Sequence, residues 1–288
     1  MPAEVTAVIT THDRPDAVQE ALASIHAETY PDLECVVVDD GGTFELPAAA
    51  GSGIEVRVVR GGELGVAAAR NLGLAAARGE YVIFLDDDDV ALPNRISTLI
   101  GAARQFDAGL CFGLTRRAVA GSTTRLPPVP TERLSPGGPI GFCDVLTCAP
   151  HVNSVLVRTS ALRDIGGFDA EARHFDDWSA WLRLADRNVV MRSVDEVVAE
   201  WRLHENGLSG EILQTGAMKA RMAALFDHLR TQLSEESLPA IAVARDVVAS
   251  NEIVTYDDYV RAMAAARAKL HAAGACLGRR LGAHVGPS

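Results

Sequence analysis

Asp86, Asp87, Asp88 and Asp89 follow directly on the apolar run YVIFL, and Pro93 closes the stretch. Four adjacent carboxylates repel one another, the more so out of water. Such a run is either a solvated cap on a strand or the place where something positive sits. Carboxylates at alternate positions can hold a hard divalent cation, Mg2+ or Mn2+, which accepts oxygen ligands. Two carboxylates seldom saturate such an ion, and a substrate diphosphate would supply further oxygens and be neutralised in turn. A second acidic pair, Asp39-Asp40, follows VVV and precedes Gly41-Gly42. Asp-Asp-Gly-Gly is good turn chemistry; alternatively, one carboxylate accepts the imide N–H of a nucleobase such as uracil or thymine, or the N1–H of guanine. His12 is either a surface turn residue or a lining of that base site. Asp176 and Asp177 sit where the dipole of a following helix favours anions; alternatively, Asp177 takes the proton from an attacking hydroxyl. His204, within WRLHENGLS, is either an interior histidine or a ligand for a metal or phosphate.

These residues need elements to carry them. VTAVIT (5–10), LECVVV (33–38), EVRVVR (55–60) and YVIFLD (81–86) read as strands. PDAVQEALASIHAE reads as a helix opened by Pro15, and GVAAARNLGLAAARG as an Ala-rich helix with a glycine at its end. Alternation of strand and helix predicts a mostly parallel sheet covered on both faces, with ligands beyond the carboxyl ends of the strands. Thr10 to Asp13, Asp39-Asp40 and Asp86 to Asp89 all fall at such ends. AGLCFGLTRRAV is a further candidate strand, TTRLPPVPTERLSPGGPIGF a long loop, and HVNSVLVRTSALRDIGGFD a strand, short helix and Gly-Gly turn. FDDWSAWLRLADR is helical, and an alternating run leads to His204. Past about Glu211 the character changes to three helices, the last with Thr255 as N-cap and Gly274 as stop, followed by a loose tail.

The 288 residues suit one large domain or a domain with an appendage, and 48% apolar content can bury a core. With 27 basic against 38 acidic residues the charge is −11, which argues against nucleic acid as a partner. Five scattered cysteines, none with metal-site spacing, point to a reducing compartment without a disulfide framework, Cys35 being a core residue. No apolar stretch approaches a membrane span and no leader precedes the first strand, so the expectation is a soluble, cytoplasmic protein. Arg261, Arg267, Lys269, Arg279 and Arg280 form either a solvated face or a peripheral contact with the inner face of a membrane, and the same helices either stand alone or pair in a homodimer.

Five segments, "AVITTHDRPDAVQEALASIHAETYPDLECVVVDDGG", "GVAAARNLGLAAARGEYVIFLDDDDVALPNRI", "NSVLVRTSALRDIGGFD", "FDDWSAWLRLA" and "AEWRLHENGLS", come in the order found in family 2 glycosyltransferases. The chain resembles that family from about Val5 to Ser209. The resemblance implies a GT-A fold over residues 1–210, with a donor-binding half over about 1–112 and an acceptor half over about 113–210. Residues 211–288 would be a C-terminal helical extension. It also implies an inverting reaction and a nucleotide-diphosphate sugar donor with Mg2+ or Mn2+, UDP being favoured on family frequency. Carried over residue by residue, Thr10 and His12 border the nucleobase, and Asp40 binds the base imide with Asp39 beside it. Arg70 and Asn71 line the donor pocket. Asp86 and Asp88 form the metal motif, with Asp88 the direct ligand, and Asp86 or Asp87 faces the ribose or sugar. Asp177 is the base, with Asp176 where the family more often has Glu. His204 closes the diphosphate site with Arg202 nearby. His12 stands where the family usually has Tyr or Phe, which weakens stacking on the base.

The resemblance implies a hydroxyl acceptor, which in that family ranges from lipid-linked and polymeric saccharides to small metabolites; the loop from about Thr115 to Pro150 and the C-terminal helices would shape its site. Two other functions compete. A sugar nucleotidyltransferase would want a Gly-rich loop with Arg and Lys after the first strand, where this chain has THDRPD. A non-catalytic scaffold would have lost its acids, yet Asp40, Asp88 and Asp177 are present.

Overall fold

A computed structural model of the chain describes residues 3–42, 44–45, 53–119, 122, 124–129, 138–204, 217–254 and 256–274. Strands β1 (Val5–Thr11), β2 (Leu33–Asp39), β3 (Glu55–Arg60) and β4 (Tyr81–Asp86) lie parallel, in the order β3-β2-β1-β4. Thr11 pairs with Asp39 and Thr10 with Asp86, so the polar strand ends meet on one edge. The sheet continues through β9 (Val155–Arg158), antiparallel to both its neighbours, then β6 (Leu110–Val119) and β10 (Met191–Leu203), parallel to each other, and closes on β5 (Val90–Ala91).

Both faces of the parallel half are covered, as its near-continuous apolar strands require. Ala7 and Ile9 of β1 face one core with Val18, Leu22 and Ile25 of helix α1 (Pro15–His26) and Leu99 of α3 (Arg95–Phe106). Val8 faces the other core with Leu74 of α2 (Val66–Ala76). That second core runs on through α4 (Phe142–Cys148) and α6 (Asp176–Asp186) into α7 (Met218–Leu229), α8 (Leu238–Ser250) and α9 (Tyr256–Ala272). The indole of Trp178 meets Phe226 of α7 at 5.6 Å and Tyr259 of α9 at 6.2 Å, both edge-on.

Several expectations change. The Pro-rich segment contains strand β7 (Arg125–Val129), antiparallel to β6, and β8 (Pro139–Ile140), beside β10. β7 pairs with a single neighbour, the edge position at which proline is tolerated. Helix α2 ends at Ala76, short of Gly79, whose place is fixed by close approach: a Cβ there would lie 2.7 Å from the Thr6 nitrogen. Gly274, with φ +65°, stops α9 as expected, whereas Thr255, Ser209 and the tail lie outside the described residues. Cys35, Cys111 and Cys148 are thiols, but Cys143 is disulfide-bonded, which corrects the expectation of a chain without disulfides. On α9, Arg261 pairs with Asp258 at 2.5 Å and Arg267 with Asp144 at 2.8 Å, so two cations of the basic face are neutralised; Arg279 and Arg280 lie outside the described residues. No helix among the described residues is long and apolar enough to cross a membrane.

Candidate active site

The four aspartates after β4 alternate. Asp86 and Asp88 stay part-exposed, while Asp87 and Asp89 turn inward, at 1% and 2% exposure. The run is therefore no solvated cap. Asp87 accepts from the Thr11 hydroxyl at 2.6 Å and pairs with Arg14 at 2.5 Å; burial pushes its carboxyl up to about 6. Of the two residues considered for the ribose or sugar, Asp87 is thus buried among protein partners and Asp86 stays part-exposed. Asp89 accepts from the Asn153 amide and from the Arg202 backbone N–H at 2.7 Å. Burial, then the charges of Asp86 and Asp88, hold its carboxyl well above the usual range.

Three guanidiniums answer the charge. Arg14 bridges Asp87 and Asp88, its second contact at 2.6 Å. Arg70, from α2, sends one nitrogen to Asp86 at 2.7 Å and the other to Asp176 at 2.8 Å. Burial acts to raise the Asp86 carboxyl, but Arg70 together with His151 and Arg14 outweighs it, so Asp86 is held below its ordinary value. Arg95 is wholly buried beneath the run and donates to the Phe84 carbonyl at 2.7 Å. Burial lowers Arg95 to about 10 and raises Glu28, whose charge acts on it, to about 7. Arg70 is the residue expected in the donor pocket, whereas nothing in the sequence singles out Arg14 or Arg95. Arg14 lies two residues after His12 in THDRP, but its pairing across 74 residues has no local signature.

Asp177 lies in the first turn of α6 and is half-buried. Its carboxylate accepts two backbone N–H groups, Trp178 at 2.7 Å and Val152 at 3.2 Å. Burial, then the neighbouring charge of Asp176, raises its carboxyl to about 7 against the pull of Arg70. Val152 belongs to a 3-10 turn, Val152–Ser154, that no sequence signal announces. The next residue, Asn153, is fully buried; its amide oxygen accepts from the Asp86 N–H at 3.1 Å and its amide nitrogen donates to Asp89. One turn thus holds the acidic run and Asp177 together.

The remaining expected residues divide. His204 closes on Asp88, Nε2 to Oδ2 at 2.8 Å, and so joins the acidic run. Arg202 contributes its backbone to Asp89, while its guanidinium pairs with Glu20 at 2.5 Å. Thr10 is buried in register with Asp86, and His12 is exposed with Nδ1 against the Asp40 carbonyl. Asp40 fastens a loop: its carboxylate accepts from the N–H groups of Gly62, Leu64 and Gly65 at 3.3, 2.7 and 2.8 Å. Asp39 pairs with Arg60 and accepts from Phe44 N–H at 2.8 Å. Asn71, expected in the donor pocket, instead makes a two-way bond to the Phe168 backbone, at 2.7 and 2.8 Å. Gly167 permits that bond, with φ +75° and a would-be Cβ 2.2 Å from the Asn71 oxygen.

Among the described residues no group of three or more His, Cys, Asp or Glu side chains could hold a metal alone. Asp88 with His204, and Asp86 on the same side, nevertheless present an accessible oxygen-rich set that already attracts the cationic Arg14. These groups fit a divalent cation that takes its other ligands from a diphosphate and water.

A mostly parallel sheet with acidic strand ends converging on a carboxylate from a later helix is the GT-A glycosyltransferase architecture. The match to solved structures agrees on the fold: S. aureus TarS 1-349 in complex with UDP-GlcNAc superposes with TM-score 0.67 at 16% identity, over 85% of this chain and 72% of that one. The mannosyltransferase PcManGT from Pyrobaculum calidifontis, in complex with GDP-Man and Mn2+, gives 0.64 at 18%, over 95% and 76%. The sequence profile of Glycosyl transferase family 2 matches residues 6–147, and the chain belongs to that family. A curated Escherichia coli relative, the UDP-Glc:alpha-D-GlcNAc-diphosphoundecaprenol beta-1,3-glucosyltransferase WfaP, is 22% identical over 71% of this chain and 79% of its own. The first three curated relatives are spanned to 68%, 38% and 16% of their own lengths.

Proposed function

We propose that the protein is a metal-dependent, inverting glycosyltransferase that moves a sugar from a nucleoside-diphosphate sugar, UDP-linked for preference, to a hydroxyl acceptor. The observation that carries this reading is the link from Asp86 through Arg70 to Asp176, beside Asp177. It sets a carboxylate raised to about 7 at a fixed place opposite the acidic run. A base of that strength suits proton removal near neutral pH.

In this reading Asp177 takes the proton of the acceptor hydroxyl. The acceptor oxygen attacks the anomeric carbon from the face opposite the leaving group. The bond from that carbon to the diphosphate oxygen breaks, and its electron pair leaves with the nucleoside diphosphate. A Mg2+ or Mn2+ held by Asp88, with Asp86 and His204, would neutralise the leaving diphosphate. Thr10 and His12 border the base, and Asp40 serves it through the loop it fastens as well as through its remaining acceptor capacity. Residues 1–112 form the donor half and 113–210 the acceptor half, with the C-terminal helices flanking the latter. The UDP-GlcNAc and GDP-Man complexes of the fold neighbours support a nucleotide-sugar donor, the Mn2+ of one supports the metal, and the E. coli relative's name supports a saccharide or lipid-linked acceptor.

Calorimetric titration of UDP, dTDP and GDP, each with and without Mn2+, tests the reading. Metal-dependent binding of one nucleotide, abolished in Asp88→Ala, is expected. A folded protein that binds none of them refutes it.

A further inference from the structure

His151 immediately precedes the turn that ties Asp86, Asp89 and Asp177 together. Its ring is part-buried and stacks on Trp201 of β10, with centroids 4.8 Å apart and planes 27° apart. Nδ1 accepts from the Asn153 backbone N–H at 3.4 Å. A ring that accepts at Nδ1 and is neutral carries its proton on Nε2. Burial is the main reason it stays neutral, lowering it to about 4, and the charges of Asp86, Asp88 and Arg70 all bear on it. Nε2 has no hydrogen-bond partner among the described residues and is not sealed from solvent. The stack on Trp201 fixes the ring plane and the Asn153 bond fixes the rotation. A neutral, preoriented N–H donor therefore stands at the head of the turn that joins the acidic run to Asp177.

On the reading that the site takes a nucleotide sugar, the group lying between the diphosphate and the base is the transferred sugar. We propose that His151 is a specificity-determining residue that donates Nε2–H to a hydroxyl of that sugar. A neutral donor suits a hydroxyl oxygen, and a site built to pair one discriminates against sugars that lack it or present it on the other face.

The test is calorimetry with Mn2+ on the full chain, comparing UDP-glucose with UDP and GDP-mannose with GDP. Four proteins are compared: wild type, His151→Phe, His151→Gln and His151→Asn. Phe keeps the stack and loses the donor. Gln places an amide N–H near the Nε2 position, and Asn places one near Nδ1. We expect His151→Phe to weaken the nucleotide sugar about 5- to 10-fold, the range of one lost hydrogen bond. Binding of the nucleoside diphosphate stays unchanged, Gln restores most of the loss, and Asn restores none. Equal weakening of sugar nucleotide and nucleoside diphosphate overturns the proposal, as does unchanged sugar-nucleotide binding with a raised acceptor KM. If the Phe variant fails to fold, as judged by thermal unfolding, the contrast of Gln with Asn decides alone. A wild type that binds neither nucleotide overturns the transferase reading itself, whereas wild-type binding with no Gln–Asn contrast overturns only the role of His151.

Discussion

Arg70 on α2 lies 2.8 Å from Asp176 on α6, a contact that spans 106 residues of chain, and its second nitrogen lies 2.7 Å from Asp86. One planar fork thereby sets the separation between the acidic run and the carboxylate next in sequence to the proposed base. Its geometry and its charge both matter, because Arg70 and Asp176 are buried and Asp86 is mostly so.

Removing that cation strands two carboxylates. Arg70→Met is expected to destabilise the fold by roughly 3–5 kcal/mol, the usual cost of breaking a buried pair. Arg70→Lys should recover little, since a single ammonium does not match two carboxylates as a fork does. Urea unfolding of the three proteins checks this.

Asp177→Asn should leave nucleotide-sugar binding intact and lower turnover by about 10²- to 10⁴-fold, the usual worth of a positioned base. Single-turnover kinetics alongside calorimetry separates the two effects. A variant with wild-type turnover would remove Asp177 from the mechanism.

The pH dependence follows from the raised carboxyls. A base works only when ionised, so turnover should fall as pH drops through about 7, the value to which burial raises Asp177. Stability runs the other way. Glu28, Asp87 and Asp177 hold their protons more tightly in the fold than in the unfolded chain, at about 7, 6 and 7. Their contribution is full below about 4, the ordinary carboxyl range, and is lost as pH rises through 6 to 7. The unfolding midpoint should therefore decline over that window, and Glu28→Gln, remote from the acceptor, should flatten the decline.

Arg14 holds the place beside Asp88 that a cation would share. Arg14→Met should tighten Mn2+ binding in the absence of nucleotide by about tenfold, a modest figure because the guanidinium is 44% exposed and screened. Manganese titration by electron paramagnetic resonance reads this directly.

Gly167→Ala should cost roughly 1–3 kcal/mol, because φ is +75° and the new methyl would strike the Asn71 oxygen. Thermal unfolding measures it, and Asn71→Ala in the same chain should relieve the clash.

The parallel half of the fold was legible because its strands are short apolar runs that stop at polar clusters, and β3 and β4 begin and end where the letters suggest. β7 was hidden because prolines mask an edge strand, which needs few ladder donors. In the site, the acidic run, Asp177 and His204 announced themselves by type and position. Arg14, Asn153 and His151 did not, because each acts through a partner tens of residues away. The spacing of Asp39-Asp40 was readable, but that Asp40 would hold a loop of amides was not, since backbone donors leave no mark in a sequence.

Trp178 follows Asp177 directly and wedges between Phe226 and Tyr259 of the last helices. Those helices are thus neighbours of the proposed base in the mechanical sense. A hybrid enzyme joined near residue 210, borrowing its tail from a relative, would reset the seat of that indole and with it the aim of the carboxylate one residue earlier. Exchanging tails between members of such a family would retune the chemistry even where every acidic residue is retained.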